Sequence, residues 1–267
     1  MIKKYILLII VALTLINCRT MSINQTAETL KPKELETTFS CDLGASFSEI
    51  GGFNFGMKLD QRIGLKENLE MQIRLESSVS SLIYYYPQIP NISNFLDVGI
   101  KAQVLNKSGH HLALLPFMGI YGGWSGSFNG SKYGMLGPDV GLKIIGSYDI
   151  DKKFGKEETN SIYYGLSMET KYNFLALNRT YEAIRSNYIT PVAMPDFDLG
   201  VSLGWESKFK SKNNNYIVLR HEVCFSSSFL WSVYYNPYNG GFIGTNFENY
   251  IISLDYSVSI GGGYRVK

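Results

Sequence analysis

Thirteen charged residues supply the chain's most evident means of doing chemistry: Glu70, Arg74, Asp97, Lys101, Asp139, Lys143, Glu169, Lys171, Asp198, Glu206, Arg220, Glu222 and Asp255. A pair of carboxylates in a cleft can divide the acid and base roles of a hydrolysis. Carboxylates beside Lys or Arg form ion pairs instead. Spacing favours the second reading. Glu70 and Arg74, Asp97 and Lys101, Asp139 and Lys143, Glu169 and Lys171, and Arg220 and Glu222 are two or four residues apart. In an extended strand, residues separated by an even number share a face. Acids and bases are therefore expected to line one interior surface as a charge network, with no catalytic dyad.

The remaining candidates point to no reaction. His110 and His111 are adjacent in a polar stretch, where a solvated turn is expected, and no further ligand is spaced to complete a metal site. His221 falls on the apolar parity of its segment, as a neutral interfacial histidine or a bulge would. Gly119, Gly122, Gly123 and Gly126 do not open a helix after a strand, so they make no phosphate loop. Cys41 and Cys224 fall on opposite parities, which argues against a disulfide. No cofactor and no metal are expected, and the chain is expected not to be an enzyme.

The elements that carry these residues are strands. From Phe197, the residues Leu199, Val201, Leu203 and Trp205 occupy one parity, against Asp198, Gly200, Ser202, Gly204 and Glu206 on the other. Strict alternation is the mark of a strand between two environments. The same pattern recurs from Leu35 to Tyr264. Segments at 64–68, 105–110, 149–160 and 210–215 read as short charged turns. Those at 77–94, 173–194 and 226–249 read as long aromatic loops, with a short helix expected around Thr180 to Arg185. Pro116 interrupts one strand.

The fold class expected is all-β: an antiparallel up-and-down transmembrane β-barrel of about ten strands with long external loops. A soluble sandwich also alternates, but charge here keeps to one parity over long strands. Phe53, Tyr172, Trp205 and Tyr250 fall near strand ends, as an interfacial aromatic girdle requires. About eight strands enclose only side chains, and wide pores need sixteen or more. A narrow, charge-filled lumen is expected, without large conductance and with small cations admitted before anions.

The N-terminus reads as a targeting segment. Lys3 and Lys4 precede an apolar run from Tyr5 to Ile16, too short to span a bilayer comfortably. Loss of both lysines lowers the basic count from 25 to 23, equal to the acids, so the net charge gives no argument for nucleic acid. Leu15-Ile16-Asn17-Cys18 resembles a bacterial lipobox, with Asn17 where Gly, Ala or Ser is usual. The stretch from Gln25 to Glu34 resembles the lead-in of small lipid-anchored bacterial outer-membrane β-barrel proteins. That resemblance implies a signal peptide at 1–17, a lipidated tether at 18–33 with covalent lipid on Cys18, and a barrel domain at 34–267. It also implies an outer-membrane location, anchored and integral. A tether on the short-turn side makes the short turns periplasmic and the long loops external. The expected function is that of a structural or surface-exposed outer-membrane lipoprotein whose partners are the bilayer and an external contact. A small-solute channel and a soluble periplasmic lipoprotein binding an apolar ligand are the alternatives.

Overall fold

The computed structural model describes residues 21, 23–46, 52–82, 91–126, 132–150, 159–173, 177–178, 190–211, 215–230, 233–236, 241–245 and 252–266. The signal segment, Cys18, the helix expected near Thr180 and the tips of the long loops lie outside these residues.

Ten long strands form the wall. They are β1 (Leu35–Ser46), β2 (Gly52–Lys66), β3 (Leu69–Leu82), β4 (Asn91–Lys107), β5 (His110–Gly126), β6 (Lys132–Asp149), β7 (Thr159–Asn173), β9 (Thr190–Lys210), β10 (Tyr216–Leu230) and β13 (Ile252–Val266). Three short strands lie at the long-loop end: β8 (Leu177–Asn178) pairs with β6 at Tyr133 and Gly134, β11 (Val233–Asn236) pairs with β9 between Thr190 and Ala193, and β12 (Gly241–Thr245) pairs with β11. Sequential antiparallel pairing runs from β1 through β7 to β9 and β10. β13 then pairs with both β10 and β1, so the sheet closes on itself and no wall strand has a free edge.

Alternation assigns the two faces. Along β9, Val201, Leu203 and Trp205 are exposed outward, while Ser202, Gly204, Glu206 and Lys208 are buried inward. The same holds on β1, where Phe39 and Leu43 face out and Glu36, Thr38, Ser40 and Asp42 face in. Apolar groups outside and ions inside invert a soluble protein, and lipid is the solvent that makes this arrangement stable. His221 lies on the outer face opposite Trp205 and Ile260, in an unbulged ladder. Pro116 also points outward, and β5 continues through it to Gly126. The wall strands reach past several expected loop boundaries, with β3 running to Leu82 and β9 starting at Thr190.

One end of the barrel is tightly turned. Lys107 pairs with His110 across Ser108 and Gly109, both with positive φ, the geometry of a two-residue hairpin. Glu67 and Asn68 join β2 to β3 at the same end, where Asn68 has positive φ. The β6–β7 connection at this end is longer, but the two longest connections, from β7 to β9 and from β10 to β13, lie at the opposite end. Cys41 and Cys224 are both free, as their opposite parities implied.

The segment expected to be a tether is not outside the wall. Its described residues, Met21 and Ile23–Lys33, run through the barrel's interior to the short-turn end, where Lys33 donates to the Gly64 carbonyl. Met21, Ile23, Asn24, Gln25, Thr26, Ala27 and Leu30 are buried. Orientation therefore cannot be read from a tether hanging on the short-turn side. It rests on the general barrel asymmetry of short periplasmic turns and long external loops.

Candidate functional site: the occupied lumen

The lumen is built from the inward parity of the wall strands. At its short-turn half, Glu36 on β1 gathers three guanidiniums. Arg62 and Arg220 reach one carboxylate oxygen at 2.8 and 2.6 Å, and Arg265 reaches the other at 2.8 Å. Arg220 also binds Glu206 at 2.6 Å and donates to Thr38 at 3.0 Å. Arg62 grips Glu70 through Nε and Nη2 at 2.7 and 2.9 Å, a two-point contact suited to its planar fork. Lys101 completes this side, 2.9 Å from Glu70, and Lys208 lies 3.0 Å from Glu206.

These ions also bind the segment's backbone. Lys101 donates to the Thr26 and Glu28 carbonyls at 3.0 and 2.9 Å, and Arg62 donates to Glu28 at 3.1 Å. Glu70 accepts the Leu30 N–H at 2.8 Å. Glu222 accepts the N–H groups of Ile23, at 2.7 Å, and Asn24. Ser147 accepts from Ala27 at 3.1 Å, Ser167 donates to the Met21 carbonyl at 3.1 Å, and Gln25 donates to Gln72 at 2.9 Å. Lys208 pairs with the Glu28 carboxylate. A non-periodic peptide buried without such partners would leave its backbone groups unsatisfied, at a cost of about 1–3 kcal/mol each.

Apolar contact fixes the segment's other side. Ile23 and Ala27 pack with Ala113, Leu115 and Ile145 on β5 and β6. Room for the peptide comes from glycine. A Cβ on Gly165 would fall 2.2 Å from the Ile23 side chain, and one on Gly200 would fall 2.5 Å from Met21.

Other inward ions bind acids and rings of the wall. Lys58 lies 2.7 Å from Asp42 and 3.9 Å from Glu76. Lys171 joins Asp198 and Glu169, the latter at 3.6 Å. Lys143 lies over the Phe117 ring and Lys171 over Phe95, each 5.6 Å from the centroid. Asp97 and Asp139 flank Gly119 in the register of β4, β5 and β6. Among the expected network residues, Arg74 pairs with Asp60 at 2.7 Å. The Asp255 side chain lies outside the described ones.

Glu28, Glu36, Asp42, Lys58, Asp60, Arg62, Glu76, Lys208 and Arg265 were not among the thirteen network residues expected. The inward parity of Lys208 was legible in the sequence, but nothing local marked Glu28. His111 also differs from expectation. It is buried at the short-turn end, 3.1 Å from Asp149 and 2.8 Å from Gln103, because β5 starts at His110 and turns His111 inward. Ser161 donates to Asp149, at 2.9 Å, within the same cluster. No group of three His, Cys, Asp or Glu residues among the described residues could hold a metal.

No protein-family model and no curated protein matches the sequence. Solved structures do match the fold. The β domain of the Bordetella autotransporter BrkA aligns with a TM-score of 0.52 at 10% identity, over 88% of this chain and 99% of that one. The translocator domain of autotransporter NalP from Neisseria meningitidis aligns with a TM-score of 0.50 at 10% identity, over 86% and 88%. The chain is thus an all-β protein with the outer-membrane barrel fold. A third neighbour corrects an expectation. The Escherichia coli outer-membrane protease OmpT aligns at 10% identity over 90% of this chain and 99% of that one, with a TM-score of 0.42. A protease among the neighbours removes the basis for expecting no enzymatic activity, although the likeness assigns none.

Proposed function

We propose that the protein is an outer-membrane β-barrel lipoprotein, anchored through Cys18, that keeps its lumen sealed with its own N-terminal segment and acts through the loops it presents outside. One observation carries the sealed state: Met21 and Ile23–Leu30 occupy the interior, and charges from several strands bind them. Water and solutes would have to displace a peptide held by charge-assisted bonds, each worth about 1.5–3 kcal/mol. The long connections at 83–90, 174–189 and 231–251 supply the external surface, with β11 and β12 extending the barrel beyond β9.

Purified protein in planar bilayers is expected to show no stable large conductance, and any rare small openings should prefer cations. Reproducible porin-sized steps from the wild type would reverse this reading in favour of a solute channel. The anchor is tested separately by labelling with a fatty acid. Wild type should incorporate label and Cys18→Ser should not; equal incorporation in both would remove the lipid from the proposal.

A further inference from the structure

Glu222 is bound differently from the acids around it. Glu36, Glu70 and Glu206 each hold Lys or Arg. Among the described residues no Lys or Arg lies within ion-pair distance of Glu222, and Arg220, two residues away on the same face, is taken by Glu36 and Glu206. The Glu222 carboxylate is met instead by two successive backbone N–H groups, of Ile23 at 2.7 Å and of Asn24. Asn24 has a φ of +49°, in the left-handed region. Successive N–H groups at such a bend form a concave anion site. Without them a carboxylate only 2% exposed would be desolvated with no compensation. The segment's N–H groups thus stand where the other acids have a cation.

The wall around this point supplies oxygen. Ser259 on β13 is the cross-strand partner of Glu222, and Gly204 on β9 is its partner on the other side. The Tyr163 ring lies over Gly204, where a Cβ would fall 2.1 Å from Cζ and 2.5 Å from the hydroxyl oxygen. Ser259 and Tyr163 are both buried. The Ser259 hydroxyl has no hydrogen-bond partner among the described residues, and neither has the Asn24 side-chain amide beside Gly261. Buried polar atoms are satisfied in stable proteins, so orphaned ones mark a place where a polar group is held.

The left-handed bend is the part that can change. Turning the Ile23–Asn24 peptide over returns Asn24 to extended backbone and relieves its strain. The Ile23 side chain keeps its packing on Ala113, Leu115 and Ile145. The Asn24 N–H, a donor to Glu222, is exchanged for the Ile23 carbonyl, an acceptor. That carbonyl gives up a long 3.4 Å bond from Arg74. Glu222, the Ile23 carbonyl, Ser259 and Tyr163 then offer oxygens that carry one negative charge among them. Such oxygens replace the hydration shell of a small cation. Thr26–Leu30 takes no part, because Lys101, Ser147 and Glu70 hold its backbone independently.

We propose that Glu222 is a site for a small monovalent cation, an alkali ion or ammonium, which takes the place of the Asn24 N–H as the Ile23–Asn24 peptide turns over. The site rests on the seated segment, which is the seal proposed above. Conductance reads the seal and amide exchange reads the site, so either can fail while the other stands.

The test is amide hydrogen exchange, by NMR on the full-length protein in detergent micelles. Sodium, ammonium and choline chloride are compared at equal ionic strength; choline carries the same charge but is too large for the site. The Asn24 amide is expected to exchange about tenfold faster in sodium or ammonium than in choline, once the small cation reaches about ten times its dissociation constant. Leu30 should not change. An effect of one small cation alone names the ion within the class. Ser259→Ala removes an oxygen that makes no hydrogen bond to the segment. It should leave exchange in choline as it is and weaken the dependence on the small cation. Glu222→Gln should leave Asn24 fast in all three salts. Equal exchange of wild-type Asn24 in the three salts, up to molar concentration, would overturn the site. So would a salt dependence that survives in Glu222→Gln, or one that Leu30 shares. Ser259→Ala decides where Glu222→Gln does not fold, since an undiminished dependence there also overturns it.

Discussion

The two halves of the lumen are made from the same strands and the same kinds of ion, yet they are completed differently. In the short-turn half, Arg62, Glu70, Lys101 and Lys208 divide their bonds between the wall and the N-terminal segment. In the long-loop half, Lys58 and Lys171 bind acids of the wall. An ion desolvated by a narrow lumen needs a partner. The first group of ions therefore depends on a peptide that is no part of the sheet, whereas Lys58 and Lys171 have wall acids as partners. Breaking each half separately should have unequal consequences.

The largest difference is expected between Glu36→Gln and Glu169→Gln. Glu36 is the shared acceptor of Arg62, Arg220 and Arg265. Its neutralisation leaves three guanidiniums around an amide and should cost about 3–5 kcal/mol, as removal of one partner from a buried ion cluster does. Glu169→Gln leaves Lys171 bound to Asp198, and should cost about 1 kcal/mol or less. Urea unfolding in detergent micelles, followed by heat-dependent gel mobility, compares the two. Equal losses would mean that the halves are equivalent.

Space next distinguishes positions against the segment from positions lined by the wall alone. Gly165→Ala and Gly200→Ala each place a methyl group against the buried segment, on Ile23 and Met21, and overpacking of that kind costs about 1–3 kcal/mol. Gly56 is lined by wall side chains instead, where an added Cβ finds its nearest neighbour, Asp42, at 3.6 Å, an ordinary contact. Gly56→Ala should change stability by about 0.5 kcal/mol or less. If all three variants unfold alike, the glycines are not room made for the segment.

The wall was legible in the sequence because a strand reports its two environments residue by residue. Leu203 and Ser202, or Phe39 and Ser40, reveal their faces without knowledge of any neighbour. The short turns were equally local, since Ser108-Gly109 and Glu67-Asn68 bring their own chemistry. The lumen segment was not legible. Its partners are as distant as Glu222, which binds Ile23 from 199 residues away, and its fit depends on Gly165 and Gly200, whose absent side chains say nothing of what fills the space. Ile23, Ala27 and Leu30 follow no strand period, because the segment pairs with side chains and not with a ladder. The charge network was half legible for the same reason. Parity placed Glu206 and Arg220 inside, but the pairing of Lys208 with Glu28 required knowing that Glu28 was inside too. His111 was misplaced by a single turn boundary, and one residue of register is enough to exchange solvent for lumen.

The smallest effect sharpens the comparison most locally. Gln103 joins the segment to the wall at its short-turn end. Its Oε1 accepts the Thr29 hydroxyl at 3.0 Å and the Thr29 N–H at 3.4 Å, while Nε2 lies 2.8 Å from His111 Nδ1. With Gln103 Nε2 donating to His111 Nδ1, the imidazole carries its hydrogen on its own Nε2 and donates a hydrogen bond to Asp149, which also accepts from Ser161. Gln103→Leu removes the Thr29 acceptor and the His111 donor together. Thr29 is only part-buried, so water can replace part of what is lost, and about 1 kcal/mol is expected. That is too little to unfold the barrel but enough to release one residue of the segment. Hydrogen exchange at the Thr29 amide should accelerate about fivefold, as 1 kcal/mol implies at 25 °C. Leu30, held independently by Glu70, should remain protected. Acceleration spread over Ile23–Leu30 would show that the segment moves as one body, with Gln103 a latch for the whole lumen. No change at Thr29 would show that Gln103 serves the His111–Asp149 cluster alone.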